Sequence, residues 1–145
     1  MEGTYITGSA EETKALATEF AKELKEGITV CLHGELAAGK TTFTQGLGEF
    51  YQIDRMTSPT YVIVHQYPVK VPESVIKTFY HIDLYRLKSI WEIKAFDIDE
   101  LWSDKSNLIV VEWSERLEDH LPKSRYEINF KTISVDAREI TFKLI

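Results

Sequence analysis

The sequence predicts a single α/β domain built in three layers, a mixed and partly antiparallel sheet with helices on its faces. Three observations predict it. The apolar run Ile28-Thr29-Val30-Cys31-Leu32 leads into a glycine-bounded loop, Gly34-Glu35-Leu36-Ala37-Ala38-Gly39-Lys40-Thr41, and a helix-capable stretch follows from Thr41 to Tyr51. Leu108-Ile109-Val110-Val111 is a continuous apolar run, as in a strand buried on both faces. Two pairs of β-rich segments, Tyr61 to Tyr67 with Val75 to Asp83 and Tyr126 to Phe130 with Glu139 to Leu144, read as hairpins and bring antiparallel neighbours.

In chain order, Ser9 opens a capping box with Glu12 three residues on. Leu16, Phe20 and Leu24 then repeat every four residues, so a helix is predicted that ends near Gly27. The strand over 28–33, the loop and the helix from Thr41 come next, with Gly46 and Gly48 weakening that helix toward its end. Tyr61-Val62-Ile63-Val64-His65-Gln66-Tyr67 is β-branched and aromatic. Pro68 to Ser74 carries both Pro68 and Pro72 and is a connection to the second strand of that hairpin. Leu84 to Phe96 is predicted helical, with Leu84, Leu87, Trp91 and Ala95 on one side. The closing hairpin turns over Ser134 to Ala137. No repeat, low-complexity segment or linker interrupts the chain, so residues 1–145 read as one domain.

The 145 residues, 43% of them hydrophobic, suffice for a core and leave little length for a substrate domain or a long lid. A net charge of −6, with Lys and Arg scattered, argues against a uniform basic face for nucleic acid. Cys31 is the only cysteine and lies in an apolar strand, which excludes a disulfide framework and a cysteine-rich metal site; a buried reduced thiol is expected. The opening residues Met1-Glu2-Gly3-Thr4-Tyr5 lack a basic segment followed by an apolar one, and no stretch approaches about 18 apolar residues. Neither secretion nor a membrane association is expected, and the predicted compartment is the cytoplasm.

The loop fits G-x-x-x-x-G-K-[ST] at every fixed position. Between a strand and a helix this pattern has a mechanism. Backbone N–H groups wrap a β-phosphate, and the helix N-terminus adds a partial positive charge. Lys40 reaches the β- and γ-phosphates and the Thr41 hydroxyl ligates Mg²⁺. Gly34, Glu35, Leu36, Ala37, Ala38, Gly39, Lys40, Thr41 and Thr42 are therefore the expected nucleotide-binding set. An ordinary glycine turn is the plain alternative.

Turnover needs an acid for Mg²⁺ and a group to orient water. Two carboxylates stand where apolar strands end. Glu112 follows Val110-Val111, and Asp83 follows Tyr80-His81-Ile82. The plainer readings are a solvated strand end for Glu112, a helix N-cap for Asp83, a packed or hydrogen-bonded His81 and a salt-bridging Arg86. Trp113, beside Glu112, reads equally as core or as a flank of the nucleotide. Thr57-Ser58-Pro59-Thr60-Tyr61 lies where switch loops of phosphate-loop enzymes sit, so Thr60 is a candidate contact to Mg²⁺ or the γ-phosphate; a proline turn that starts a strand is the alternative.

Taken together, G-E-L-A-A-G-K-T-T at 34–42, S-P-T-Y at 58–61, H-I-D-L-Y-R at 81–86 and V-E-W at 111–113 resemble the TsaE family, small bacterial ATPases required for threonylcarbamoyladenosine in tRNA. The resemblance spans residues 28–117 in fixed order. It implies ATP and Mg²⁺ as cofactors, Lys40 and Thr41 as phosphate and metal residues, Glu112 as the second metal acid, Asp83 as the catalytic or water-orienting carboxylate and Thr60 as the switch residue. It also implies the partners TsaD, which transfers the threonylcarbamoyl group, and TsaB, which pairs with TsaD. tRNA would be met only within that complex, which the ATPase would cycle or reset. Two residues depart from the family pattern. Ala37 stands where a third glycine is usual, a harmless change if its φ is negative. Ser114 stands where proline is common, which is expected to loosen the loop after the strand.

A small-molecule kinase is the alternative from another enzyme class, but such kinases usually need an arginine-bearing lid. The arginines here, Arg55, Arg86, Arg116, Arg125 and Arg138, are not clustered in sequence. A GTPase switch lacks its N-K-x-D segment, and Asp83 is not followed by x-x-Gly. A non-catalytic nucleotide-dependent module is the fourth reading, and intact Lys40, Thr41, Asp83 and Glu112 weigh against it.

Overall fold

The computed structural model describes residues 1–54, 56 and 63–145. The expected switch loop from Thr57 to Tyr61, with Thr60, lies outside the described residues, as do the first two positions of the strand predicted from Tyr61. In chain order the elements are β1 (Gly3–Thr7), α1 (Ala10–Glu23), β2 (Thr29–His33), α2 (Lys40–Phe50), β3 (Val64–Pro68), β4 (Thr78–Asp83), α3 (Ile90–Lys94), α4 (Ile98–Ser103), β5 (Asn107–Glu112), a tight helical segment Ser114–His120, β6 (Arg125–Thr132) and β7 (Arg138–Leu144).

The described strands form one sheet in the order β1-β7-β6-β2-β5-β4-β3. Strand β2 is central and runs parallel to both β6 and β5, and β4 runs parallel to β5. The margins are antiparallel: β3 on β4, β7 on β6 and β1 on β7. The predicted mixed sheet is present, and both predicted hairpins form.

Alternation along the strands builds two cores. Val30, Leu32, Leu108, Val110 and Phe79 face α1 and α2, where Phe20, Phe43, Phe130 and Phe142 are buried with them. The Phe20 ring meets Tyr126 edge-on at 4.9 Å, a favoured aromatic geometry. Cys31, Ile109, Val111, Tyr80 and Ile82 face the other way, against Leu84, Leu87, Ile93, Ile98 and Leu117. Helices on both sides give the three layers. Cys31 is buried as expected, and desolvation pushes its thiol up to about 12 against the bond from Ser114. Among the described residues no helix is long and apolar enough to cross a membrane.

Helix α1 starts as predicted, with the Glu12 amide donating to Ser9 Oγ at 3.1 Å. The Glu12 carboxylate accepts from Gly8 rather than from the cap residue's own amide, so the capping box is shifted by one residue. Helix α2 runs through Gly46 because α1 packs directly on it. A Cβ at Gly46 would lie 2.9 Å from both Ala17 Cβ and Lys14 Cα, so the residue that lowers helix propensity is what lets the two helices close.

The helix predicted over Leu84–Phe96 is not continuous. Asp83 Oδ1 accepts from the Tyr85 amide at 3.0 Å, and the Leu84 amide donates to the Glu112 carbonyl, which keeps 84–88 in a turn. Ser89 then caps α3 afresh through the Trp91 amide. Trp91, placed on the buried side by the four-residue spacing, is 73% exposed, and Ile93 is buried instead. Helix α4 and edge strand β1 were not anticipated by periodicity.

Candidate active site

Strand β2 delivers the loop at its C-terminal end. Gly34, Ala37 and Gly39 all have positive φ, at +145°, +63° and +108°. A Cβ at Gly34 would come within 2.6 Å of the Phe130 carbonyl oxygen, so both the dihedral and the close approach require glycine there. The condition under which Ala37 would be harmless, a negative φ, is not met. Its left-handed conformation costs an alanine about 1–2 kcal/mol. The Ala38 amide donates to the Glu35 carbonyl at 3.1 Å, and the Ala38 side chain enters the core, apart from the other loop residues. Leu36 is 97% exposed at the loop tip. Lys40 Nζ donates to the Gly34 carbonyl at 2.7 Å, across the mouth of the loop.

The pleat brings the acids to this side of the sheet. His81 and Asp83 on β4 share a face with Phe79, and Glu112 on β5 shares it with Leu108 and Val110, the face that α2 covers. The parallel register sets Asp83 beside Glu112. Gly34, Glu35, Leu36, Ala37, Gly39, Lys40, Thr41, Thr42, Asp83, Glu112 and Trp113 all line one open cleft of about 910 Å³. That volume suits a ligand of nucleotide size.

Glu112 is neither simply solvated nor alone. His81 Nε2 lies 2.8 Å from its Oε2, and the two side chains are 12% and 14% exposed. Burial pushes the Glu112 carboxyl up, but the His81 hydrogen bond, the His81 charge and the Lys40 charge outweigh it, leaving the group below its ordinary value. Asp83 fixes the 83–85 turn rather than capping a helix. An ionised Glu112 and the Thr41 hydroxyl form an oxygen-only donor set, the chemistry that Mg²⁺ takes alongside phosphate and water. Among the described residues no three His, Cys, Asp or Glu gather into a metal-binding group, so any ion here would draw most of its shell from the ligand.

Trp113 is at the cleft wall, not in a core. It is 39% exposed, with left-handed φ of +60°. Its ring stacks obliquely on Tyr85 at 5.2 Å, and Lys40 Nζ lies 6.0 Å from the ring centroid. Arg116 packs against the same ring and donates to the Leu87 carbonyl, which turns it away from the cleft, whereas Arg86 lines the cleft. Ser114 does not loosen the chain after β5. It is buried at 1% exposure and is hydrogen-bonded to Cys31. Sequence reasoning missed Arg138, which reaches the loop from β7, and it assigned His81 no partner.

Comparison with known proteins shows the family and the fold. The family model described as threonylcarbamoyl adenosine biosynthesis protein TsaE matches residues 7–140. A Bacillus subtilis protein named tRNA threonylcarbamoyladenosine biosynthesis protein TsaE is 37% identical over 142 residues, covering 97% of this chain and 85% of the relative. A Rickettsia bellii protein of the same name is 38% identical over 135 residues, covering 92% of this chain and 89% of the relative. The crystal structure of Bacillus subtilis YdiB superposes with a TM-score of 0.76 at 33% identity, covering 100% of this chain and 86% of that one. With the glycine loop on the central strand, the acids on β5 and β4 to one side of it and these matches over nearly the whole length, the chain belongs to the TsaE family of tRNA threonylcarbamoyladenosine biosynthesis proteins.

Proposed function

We propose that this chain is a Mg²⁺-dependent ATP hydrolase that serves threonylcarbamoyladenosine formation in tRNA by acting on a TsaB–TsaD protein complex in the cytoplasm. The observation that carries the reading is the shared cleft, with Lys40 and Thr41 at the end of β2, Glu112 at the end of β5 and Asp83 at the end of β4. The backbone of 34–39, Lys40 and Thr42 bind the phosphates. Thr41 and Glu112 would hold the ion, which would neutralise charge on the phosphates when bound. Asp83 accepts a hydrogen bond from the attacking water and orients it. Trp113 flanks the nucleotide, and Thr60, on sequence grounds, is the proposed switch contact.

The arginine inventory supports the partner. Of the two arginines that could complete the site in cis, Arg116 is engaged with Leu87 and Trp113 outside the cleft, which leaves Arg86, at the cleft wall, as the competitor to a charge supplied by the partner. A partner that supplies such a charge in trans accelerates hydrolysis by about 10³-fold or more in other phosphate-loop enzymes. Steady-state phosphate release should be slow for the chain alone and rise with TsaB–TsaD, with tRNA measured as a further addition. Full-rate hydrolysis alone, unchanged by any addition, would overturn the partner dependence. Transfer of phosphate to a small acceptor would replace hydrolysis with kinase chemistry.

A further inference from the structure

Ala37 is held in a conformation that an alanine avoids. Left to local energetics, the left-handed state of that residue is disfavoured by roughly five- to thirtyfold in population. The Glu35–Ala38 hydrogen bond closes the turn from within the loop, and the structure shows one side chain in contact with Ala37 from afar. Arg138, the first residue of β7, is 101 residues away in sequence and donates from Nη2 to the Ala37 carbonyl at 3.2 Å.

The other guanidinium nitrogen Nη1 and the aliphatic stem of Arg138 are also engaged. Nη1 lies against three carbonyls of the β6–β7 turn, those of Ser134 at 2.9 Å, Val135 at 3.2 Å and Ala137 at 2.9 Å. The aliphatic stem packs over Gly39, where a Cβ would meet Arg138 Cγ at 3.6 Å. Nε is buried without a hydrogen-bond partner, so the position of the guanidinium is set by its two Nη ends and by the stem. The planar fork spans two structures at once, which an ammonium cannot do. The turn it grips also borders the cleft, through Val135 and Asp136.

We propose that Arg138 is a positioning residue for the phosphate loop, a strap from β7 that holds Ala37 left-handed and so keeps the loop in its ligand-ready shape. The proposal rests on the nucleotide-binding reading of the loop. Cutting the strap leaves the fold and the Lys40 chemistry in place, but only a fraction of molecules then present the competent loop, and apparent affinity falls by that fraction. With alanine at 37 the fraction drops to about one in ten, and with glycine, which enters the left-handed region freely, to about one in two.

The test is a double-mutant cycle on the full chain. Arg138→Met keeps the stem and removes the fork; Arg138→Lys is a second, milder variant; each is made with Ala37 and with Ala37→Gly. Thermal unfolding establishes that each variant is folded. Hydrogen exchange at loop amides 34–40 without ligand reads the strap itself, and titration with a fluorescent ADP analogue reads its effect. Arg138→Met is expected to speed loop exchange and weaken the analogue about tenfold with Ala37 but about twofold with Ala37→Gly, with Arg138→Lys between. Equal losses in the two backgrounds, or unchanged loop exchange, would overturn the strap. Failure of the wild-type chain to bind the analogue would overturn the nucleotide reading instead, and the ligand-free exchange measurement keeps the two outcomes apart.

Discussion

Replacing His81 by Phe tests what holds Glu112 in place. The substitution keeps a ring of similar size and deletes the one hydrogen bond seen to the Glu112 carboxylate. With the two side chains 12% and 14% exposed, water has little room to take over. A hydrogen bond to a charged group is worth about 1.5–3 kcal/mol net, so a loss of about 2 kcal/mol is expected at neutral pH. With a urea m-value of about 2 kcal/mol/M for a domain of this size, the midpoint should fall by about 1 M. Glu112→Gln keeps an acceptor and weakens the bond, so the double variant should lose less than the sum of the single ones, by about 1 kcal/mol. The pH dependence has a definite sign. The Glu112 carboxyl lies below its ordinary 4.5 in the folded chain, so its ionised form favours folding. That contribution is complete above 4.5 and disappears as pH falls through the lower folded value. The stability gap between wild type and His81→Phe should narrow over the same range. A loss below about 0.5 kcal/mol, additive single effects, or a gap that stays constant into acid would each refute the reasoning.

Three further outcomes follow from the same geometry. Lys40→Ala should keep the fold, because the side chain lies in the open cleft and not in a core, and should nearly abolish ATP hydrolysis; wild-type phosphate release with Mg²⁺ would remove the loop assignment. Glu112→Gln should weaken Mg²⁺–ATP more than metal-free nucleotide, and Asp83→Asn should lower turnover with little change in binding; calorimetry with and without Mg²⁺ would exchange the two roles if the pattern reversed. Gly46→Ala, a gain in helix propensity in isolation, should instead lower stability by about 1–3 kcal/mol because its methyl meets α1 at 2.9 Å, and a raised melting temperature would contradict the helix–helix contact.

Much of the site was legible because its signals are local. The loop between β2 and α2 occupies consecutive positions, and the apolar runs before Glu112 and Asp83 announce strand ends that a parallel sheet brings to one edge. The misses have physical causes. Strand β1 has Thr7 as its one buried residue, so its burial leaves no apolar alternation to read. The helix predicted from Leu84 breaks because the Asp83 and Ser89 side chains take up backbone amides that the spacing of leucines cannot register. The left-handed Ala37 depends on contacts around the loop, among them one made 101 positions away, and the His81–Glu112 pair depends on register between two strands. Propensity describes none of these, since each is decided by tertiary neighbours.

The central place of β2 has a consequence for motion. A strand paired on both sides and buried along four of its five residues opens only when the sheet as a whole does. The base of the phosphate loop is therefore, with β5 beside it, among the slowest-opening ground in the sheet. Strand β3, hydrogen-bonded to β4 alone, forms one border of the sheet, and Asp83 is one strand in from that border. Any narrowing of the cleft around a ligand would then be asymmetric, drawing on the β4–β3 side that carries Asp83 before the strands that carry Glu112 and the glycine loop.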